Sequence, residues 1–190
     1  MEIYAREVRR LTGVSIDVYG FDAGQGLFPP LDYRDCPQHW IGGDYSANMH
    51  AVKDKLYDAR LVVGDICSSA KTFLDDYNPH PIGFISVDVD QYHATTAILD
   101  MLTGDNKHFL PFFPIYFDDI FDDLEFQGEM LAIHEFNEKH SHLKIAPEHK
   151  CFEGDSSFLN NKYLNSTKMK IQHRFKHPKY PSTRTNNHTL

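Results

Sequence analysis

Ile82-Gly83-Phe84-Ile85-Ser86-Val87-Asp88-Val89-Asp90 is the stretch that decides how this chain is read. Its first six residues form a short apolar run of the kind that makes a buried strand, and the run stops at two carboxylates. Phe112-Phe113-Pro114-Ile115-Tyr116-Phe117 ends the same way, at Asp118-Asp119. Two buried strands that both stop at paired acids put those acids on one edge of a sheet. In open α/β sheets the edge beyond the strand C-termini is where ligands bind.

Working outward, the flanking segments alternate between helix and strand. Residues 2–11 place Tyr4, Ala5, Val8 and Leu11 at helical spacing, and Gly13 suits the C′ position that ends the helix. Residues 14–21 alternate as a strand and stop at Asp22. Residues 23–45 are rich in Gly and Pro and hold no period, so this long connection is either functional or mobile. A helix is expected over 48–56 and a strand over 59–64 ending at Asp65. Ser68 or Ser69 could then cap a helix through Leu74. Beyond the central strand, residues 94–102 form an amphipathic helix ended near Gly104. The strand within 109–117 carries Pro111 and Pro114, so it can be regular only near its end. Residues 128–140 read as a strong helix with Met130, Leu131, Ile133, His134 and Phe136 inward. Residues 144–146 form a short strand, and 168–175 alternate as a final, antiparallel one. This order predicts an α/β fold: a mostly parallel sheet with helices on both faces and an antiparallel C-terminal strand.

A chain of 190 residues fits one domain with a substantial core. The domain is expected over 1–178, followed by a disordered tail over 179–190 that has almost no apolar residues. A formal charge of −8 argues against nucleic-acid or anionic-membrane partners, which need a basic surface. It is compatible with a small-molecule substrate, and a homo-oligomer is left open. The three cysteines, Cys36, Cys67 and Cys151, are far apart and form no CxxC, which fits reduced thiols in a cytoplasmic protein. No apolar run reaches the ~18 residues of a membrane span, and the charged N-terminus does not read as a signal peptide. The twelve histidines are scattered, and most are expected at the surface.

Four stretches together resemble a class I S-adenosylmethionine-dependent methyltransferase, most closely the metal-assisted macrocin type that methylates sugar and macrolide hydroxyls. They are Tyr19-Gly20-Phe21-Asp22 with Gly26-Leu27 and Pro29, Leu61-Val62-Val63-Gly64-Asp65-Ile66, Val87-Asp88-Val89-Asp90-Gln91-Tyr92, and Tyr116-Phe117-Asp118-Asp119-Ile120. The resemblance implies a Rossmann-like methyltransferase sheet and S-adenosyl-L-methionine as cofactor. Asp22 would accept hydrogen bonds from the ribose hydroxyls, and Asp65 with Ile66 would lie at the adenine edge. Asp88, Asp118 and Asp119 would hold Mg²⁺, a hard cation that takes oxygen ligands. Asp90 would face the substrate hydroxyl, with Asp90 or Asp88 as general base. The resemblance also implies a first strand and a glycine-rich turn ahead of the opening helix. The sequence begins inside that helix, so the domain is expected to be N-terminally incomplete. Gly24-Gln25-Gly26 follows a strand and opens no helix, so it is no substitute.

Each of these residues also has a plainer reading. Asp88 and Asp90 suit the start of the next helix, where carboxylates favour the dipole. Asp118 and Asp119 could open a solvated acidic loop with Asp122, Asp123 and Glu125, and Asp22 and Asp65 could be turn residues. Trp40, Tyr33 and Tyr45 could line a pocket or anchor the long loop. His134 with His140, or His173 with His177, could be read as a metal pair, but the second straddles a strand end. Asp88-Val89-Asp90 also reads as the DxD motif of a nucleotide-sugar glycosyltransferase, which would give Asp118 and Asp119 no role. A catalytically inactive methyltransferase remnant is the non-enzymatic alternative.

Overall fold

The computed structural model describes residues 1–120, 125–147 and 169–174, the last by their backbone. The chain opens with α1 (Glu2–Thr12), ended by Gly13 in the left-handed conformation at φ 74°. That end is the one its sequence predicts, because glycine adopts positive φ without a Cβ penalty. The helix buries none of its residues, so the apolar face of Tyr4, Val8 and Leu11 is not turned to a core. Instead α1 is held at its first turn, where Glu2 Oε1 accepts the backbone N–H groups of Tyr57, Asp58 and Ala59.

Strand β1 (Tyr19–Asp22) pairs in parallel with β2 (Arg60–Val63), from Tyr19 opposite Arg60 to Asp22 opposite Val63. The strand is shorter than the alternation over 14–21 predicts. Its partner supplies only four residues, and Val14 and Ile16 stay exposed. Between the two strands lie a 3-10 turn (Tyr33–Asp35) and the short helix α2 (Met49–Lys53). Helix α3 (Ile66–Tyr77) follows β2, and its cap is Asp65, whose carboxylate accepts from Cys67 N at 2.9 Å. The expected caps, Ser68 and Ser69, sit one turn in and bond back to Asp65.

The second sheet runs β3 (Ile85–Val87), β4 (Phe112–Phe117), β6 (Met169–Arg174) and β5 (Leu143–Pro147). β3 and β4 are parallel, and β6 is antiparallel to both β4 and β5, as expected of a final strand. Helix α4 (Tyr92–Met101) follows β3 and α5 (Gly128–Lys139) follows β4. Pro114 lies inside β4, opposite Ile171 of β6, so the strand is regular over a longer span than its two prolines suggest. Among the described residues β1 and β3 are each paired on one edge only, so the sheet forms in two parts.

The core lies between this second sheet and the α4–α5 face. Val87, Leu99, Leu102, Phe113, Ile115 and Phe117 are essentially inaccessible to solvent. In α5 the buried side is Gly128, Glu129, Ala132, Ile133 and Phe136, whereas His134 is exposed. The expected tail over 179–190, Asp122, Asp123, Cys151 and His177 lie outside the described residues, as does the His173 side chain. No helix among the described residues is long and apolar enough to cross a membrane.

Candidate active site

The acids at the two strand ends converge. Ligand oxygens of Asp88, Asp118 and Asp119 all lie within 4.8 Å of one another, the one such group of three or more ligating side chains among the described residues. The cause is topological. Parallel strands β3 and β4 end in register at Val87 opposite Phe117, and the Asp118 N–H donates to the Val87 carbonyl at 3.1 Å. Residues just past those ends must therefore share the same edge. Asp88 is exposed, Asp118 half-buried and Asp119 buried. The Tyr116 hydroxyl donates to Asp118, and burial, followed by that carboxylate, pushes the phenol up to about 12.

Asp90 turns the chain from β3 into α4. Its φ is 61°, and the Gln91 N–H closes back on the Val89 carbonyl at 2.5 Å, which makes it the centre of a γ-turn. Positive φ at a non-glycine residue in such a turn is strained, and strain of this kind concentrates at functional sites. The side chain is buried. Burial first, then a hydrogen bond with Asp119 and the charges of Asp119, Asp88 and Asp118, pushes its carboxyl up to about 7.

These acids open onto a cavity of about 460 Å³ that also reaches the end of β1. Asp22, Phe21, Gly64 and Ile66 form one wall, and Phe28, Trp40 and Tyr45 of the long loop form another. Its lining contains five aspartates and no lysine, arginine or histidine. Asp22 accepts from Gly24 N at 2.6 Å, a turn contact that leaves its second carboxylate oxygen available to a ligand. Asp65 is at the cap of α3 and does not line the cavity, while its neighbours Gly64 and Ile66 do. Asp22, Ile66, Asp88, Asp90, Asp118 and Asp119 are thus brought together, and Asp65 stands just outside. A more open cleft of about 610 Å³ beside the end of α5 gathers no comparable cluster.

The long loop is pinned rather than loose. Asp35, 1% exposed, accepts from Leu31 N at 2.8 Å and His93 N at 3.0 Å, and pairs with His93 Nδ1 at 2.9 Å. Gln91 Nε2 donates to the Phe28 carbonyl at 2.8 Å. At Gly26, φ +83°, a Cβ would come within 2.3 Å of the Asp44 carbonyl oxygen, so only glycine allows this closure. The aromatic wall is therefore fixed by contacts at both ends of the loop.

Two buried acids carry no signal in the sequence pattern. One is Asp35, whose partner His93 is far away in the chain. The other is Glu129, 0% exposed, whose Oε2 accepts from Asp119 N at 3.1 Å and whose carboxyl is raised well above its ordinary range, chiefly by burial. Among the described residues neither cysteine is an activated nucleophile: burial pushes Cys36 up to about 11 and also raises Cys67. Neither His134 nor His140 joins a metal-ligating group among the described residues.

The alternating elements, the parallel β3–β4 pair and the antiparallel β6 define a methyltransferase-like Rossmann fold. A solved structure with this fold is that of CalS11, a calicheamicin methyltransferase, which superimposes with a TM-score of 0.56 at 16% identity. The match covers 92% of this chain and 66% of that one, so the chain spans just under two thirds of its length. No protein-family model and no curated protein matches the sequence.

Proposed function

We propose that the chain belongs to an S-adenosylmethionine-dependent, Mg²⁺-assisted O-methyltransferase of the macrocin type, acting on a small-molecule hydroxyl of a sugar or natural product. The observation that carries this reading is the convergence of Asp88, Asp118 and Asp119 beside Asp90 in a cavity without a basic side chain. Five carboxylates gathered without a cation repel one another, and a divalent ion on one side with a sulfonium on the other would offset that repulsion. The donor set fits Mg²⁺ in kind: all three donors are carboxylate oxygens, the ligands a hard cation takes, and they lie within 4.8 Å of one another.

When bound, the cofactor supplies an electrophilic methyl group on a sulfonium, and the ion acts as a Lewis acid that eases deprotonation of the acceptor. Asp90 would be the base that takes the acceptor's hydroxyl proton. A carboxyl raised to about 7 suits a base working near neutral pH. Asp22 would hold the ribose diol, with Phe21 and Ile66 as the apolar surface for adenine. Phe28, Trp40 and Tyr45 would cover the acceptor, exclude water and hold it in line, which supplies most of the rate in a displacement of this kind. The glycine-rich strand implied by the resemblance would lie between β1 and β3, on the edges that no described strand pairs with. The glycosyltransferase reading leaves the meeting of Asp118 and Asp119 with Asp88 unexplained.

Isothermal titration of cofactor and Mg²⁺ into the wild type, Asp22→Ala and Asp118→Ala tests the proposal. Cofactor binding should be lost in the first variant and metal binding in the second. Titrations unchanged in both would overturn it.

A further inference from the structure

We infer that Glu129 is a positioning residue that clamps together the two strand ends carrying the acidic cluster. Its consequence for metal binding rests on the reading given above; the clamp itself does not. Glu129 stands in the first turn of α5, where an acid would ordinarily face solvent and favour the helix dipole. Here it is fully buried, with Oε2 accepting the Asp119 N–H at 3.1 Å. The Val89 backbone N–H acts on the same carboxyl.

These two amides are the ones the sheet leaves behind. The β3–β4 ladder ends at Val87 opposite Phe117, and its last bond runs from Asp118 N to the Val87 carbonyl. Past that point the chains separate toward α4 and α5, and one carboxyl accepts the Asp119 N–H and stands beside the Val89 amide. Val89 lies between Asp88 and Asp90, and Asp119 is itself a proposed ligand. The clamp therefore sets the distance between the halves of the cluster. Its approach depends on Gly128, φ +55°, where a Cβ would stand 3.2 Å from the Asp90 carbonyl oxygen.

Stability alone does not account for the residue. Glu129 Oε1 has no hydrogen-bond partner, and a buried polar atom left so is costly. Groups that hold metal ligands in place without touching the ion commonly change metal affinity 10–100-fold when removed.

Amide hydrogen exchange on metal-free protein, with Mn²⁺ titration as the second readout, tests the clamp in E129A and E129Q. In E129A, exchange at Val89 and Asp119 should quicken about tenfold while Ile115 within β4 keeps its rate, and Mn²⁺ affinity should fall about tenfold. E129Q keeps an oxygen that accepts the same amides and should stay within about threefold of wild type in both. Wild-type exchange at both amides in E129A, or E129Q as impaired as E129A, would overturn the inference. A wild type that binds no Mn²⁺ would overturn the metal reading instead, and the exchange rates would still decide the clamp. If E129A does not fold, E129D, too short to reach both amides, serves in its place with the same expected losses.

Discussion

The Asp90 carboxyl stands against that of Asp119 across the ends of β3 and β4, within reach of sharing a proton. Such a contact needs a proton, because two carboxylates at hydrogen-bond distance cannot both be ionised cheaply. Burial and this neighbour hold Asp90 at about 7 in the folded chain, against 3.8 for an ordinary aspartate. The folded protein thus binds more protons than the unfolded one between those values. Linkage makes the metal-free protein lose stability as pH rises through that window. Thermal melts of wild type and Asp90→Asn from pH 4 to 7 should show a steeper decline in the wild type than in the variant, where only the buried Glu129 carboxyl still contributes. Parallel profiles would remove the shared proton from the account.

Charge crowding also gives Asp118 a double signature. A cluster built to hold a cation is destabilising without one, so removing a member should relieve repulsion and remove ligation together. Asp118→Asn should melt at or above the wild-type temperature without metal and gain nothing from Mg²⁺, while the wild type gains. A variant that melts lower without metal, and still responds to Mg²⁺, would make Asp118 a structural acid.

Glu2 joins α1 to the start of β2 by accepting three consecutive backbone N–H groups. Those bonds hold its carboxyl below the ordinary range, led by the Asp58 and Ala59 amides. The sign follows: the attachment is present above the unfolded value near 4.5 and is lost as pH falls through the lower folded value. In Glu2→Ala, the protection of the Tyr57 and Ala59 amides relative to their intrinsic exchange rates should be lost at neutral pH, as it should be in the wild type once Glu2 is protonated. Protection retained in the variant would assign the joint to other contacts.

What the sequence makes legible here is whatever local physics controls. Gly13 ends α1, apolar runs become β3 and β4, and acids that follow parallel strands meet because register leaves them no other place. The cap of α3 was less clear because Asp65, Ser68 and Ser69 are all good capping residues, and the strand-end geometry selects Asp65. The length of β1 depends on β2, a partner the local alternation over 14–21 does not contain. Burial of Glu129 is invisible to helical periodicity, since an acid in the first turn is the expected exposed residue. The Asp35–His93 pair joins a loop to a helix start, and no local pattern encodes that contact.

That last pair yields a prediction about the acceptor side of the cavity. Asp35 holds Leu31 and His93 together, and the loop between Asp22 and Tyr45 contributes Phe28 and Trp40 to the lining of the cavity. Removing a buried carboxyl that accepts several hydrogen bonds leaves its donors unpaired. Asp35→Ala should therefore cost about 2–4 kcal/mol in denaturant unfolding. If the loop is the acceptor's cover, the loss should be uneven. Cofactor titration, which relies on Asp22 and the β1–β2 side, should change little, whereas early proteolytic cleavage should appear within residues 23–45. Equal loss of cofactor binding and loop protection would mean that Asp35 supports the whole cavity, and that the two walls are not independently held.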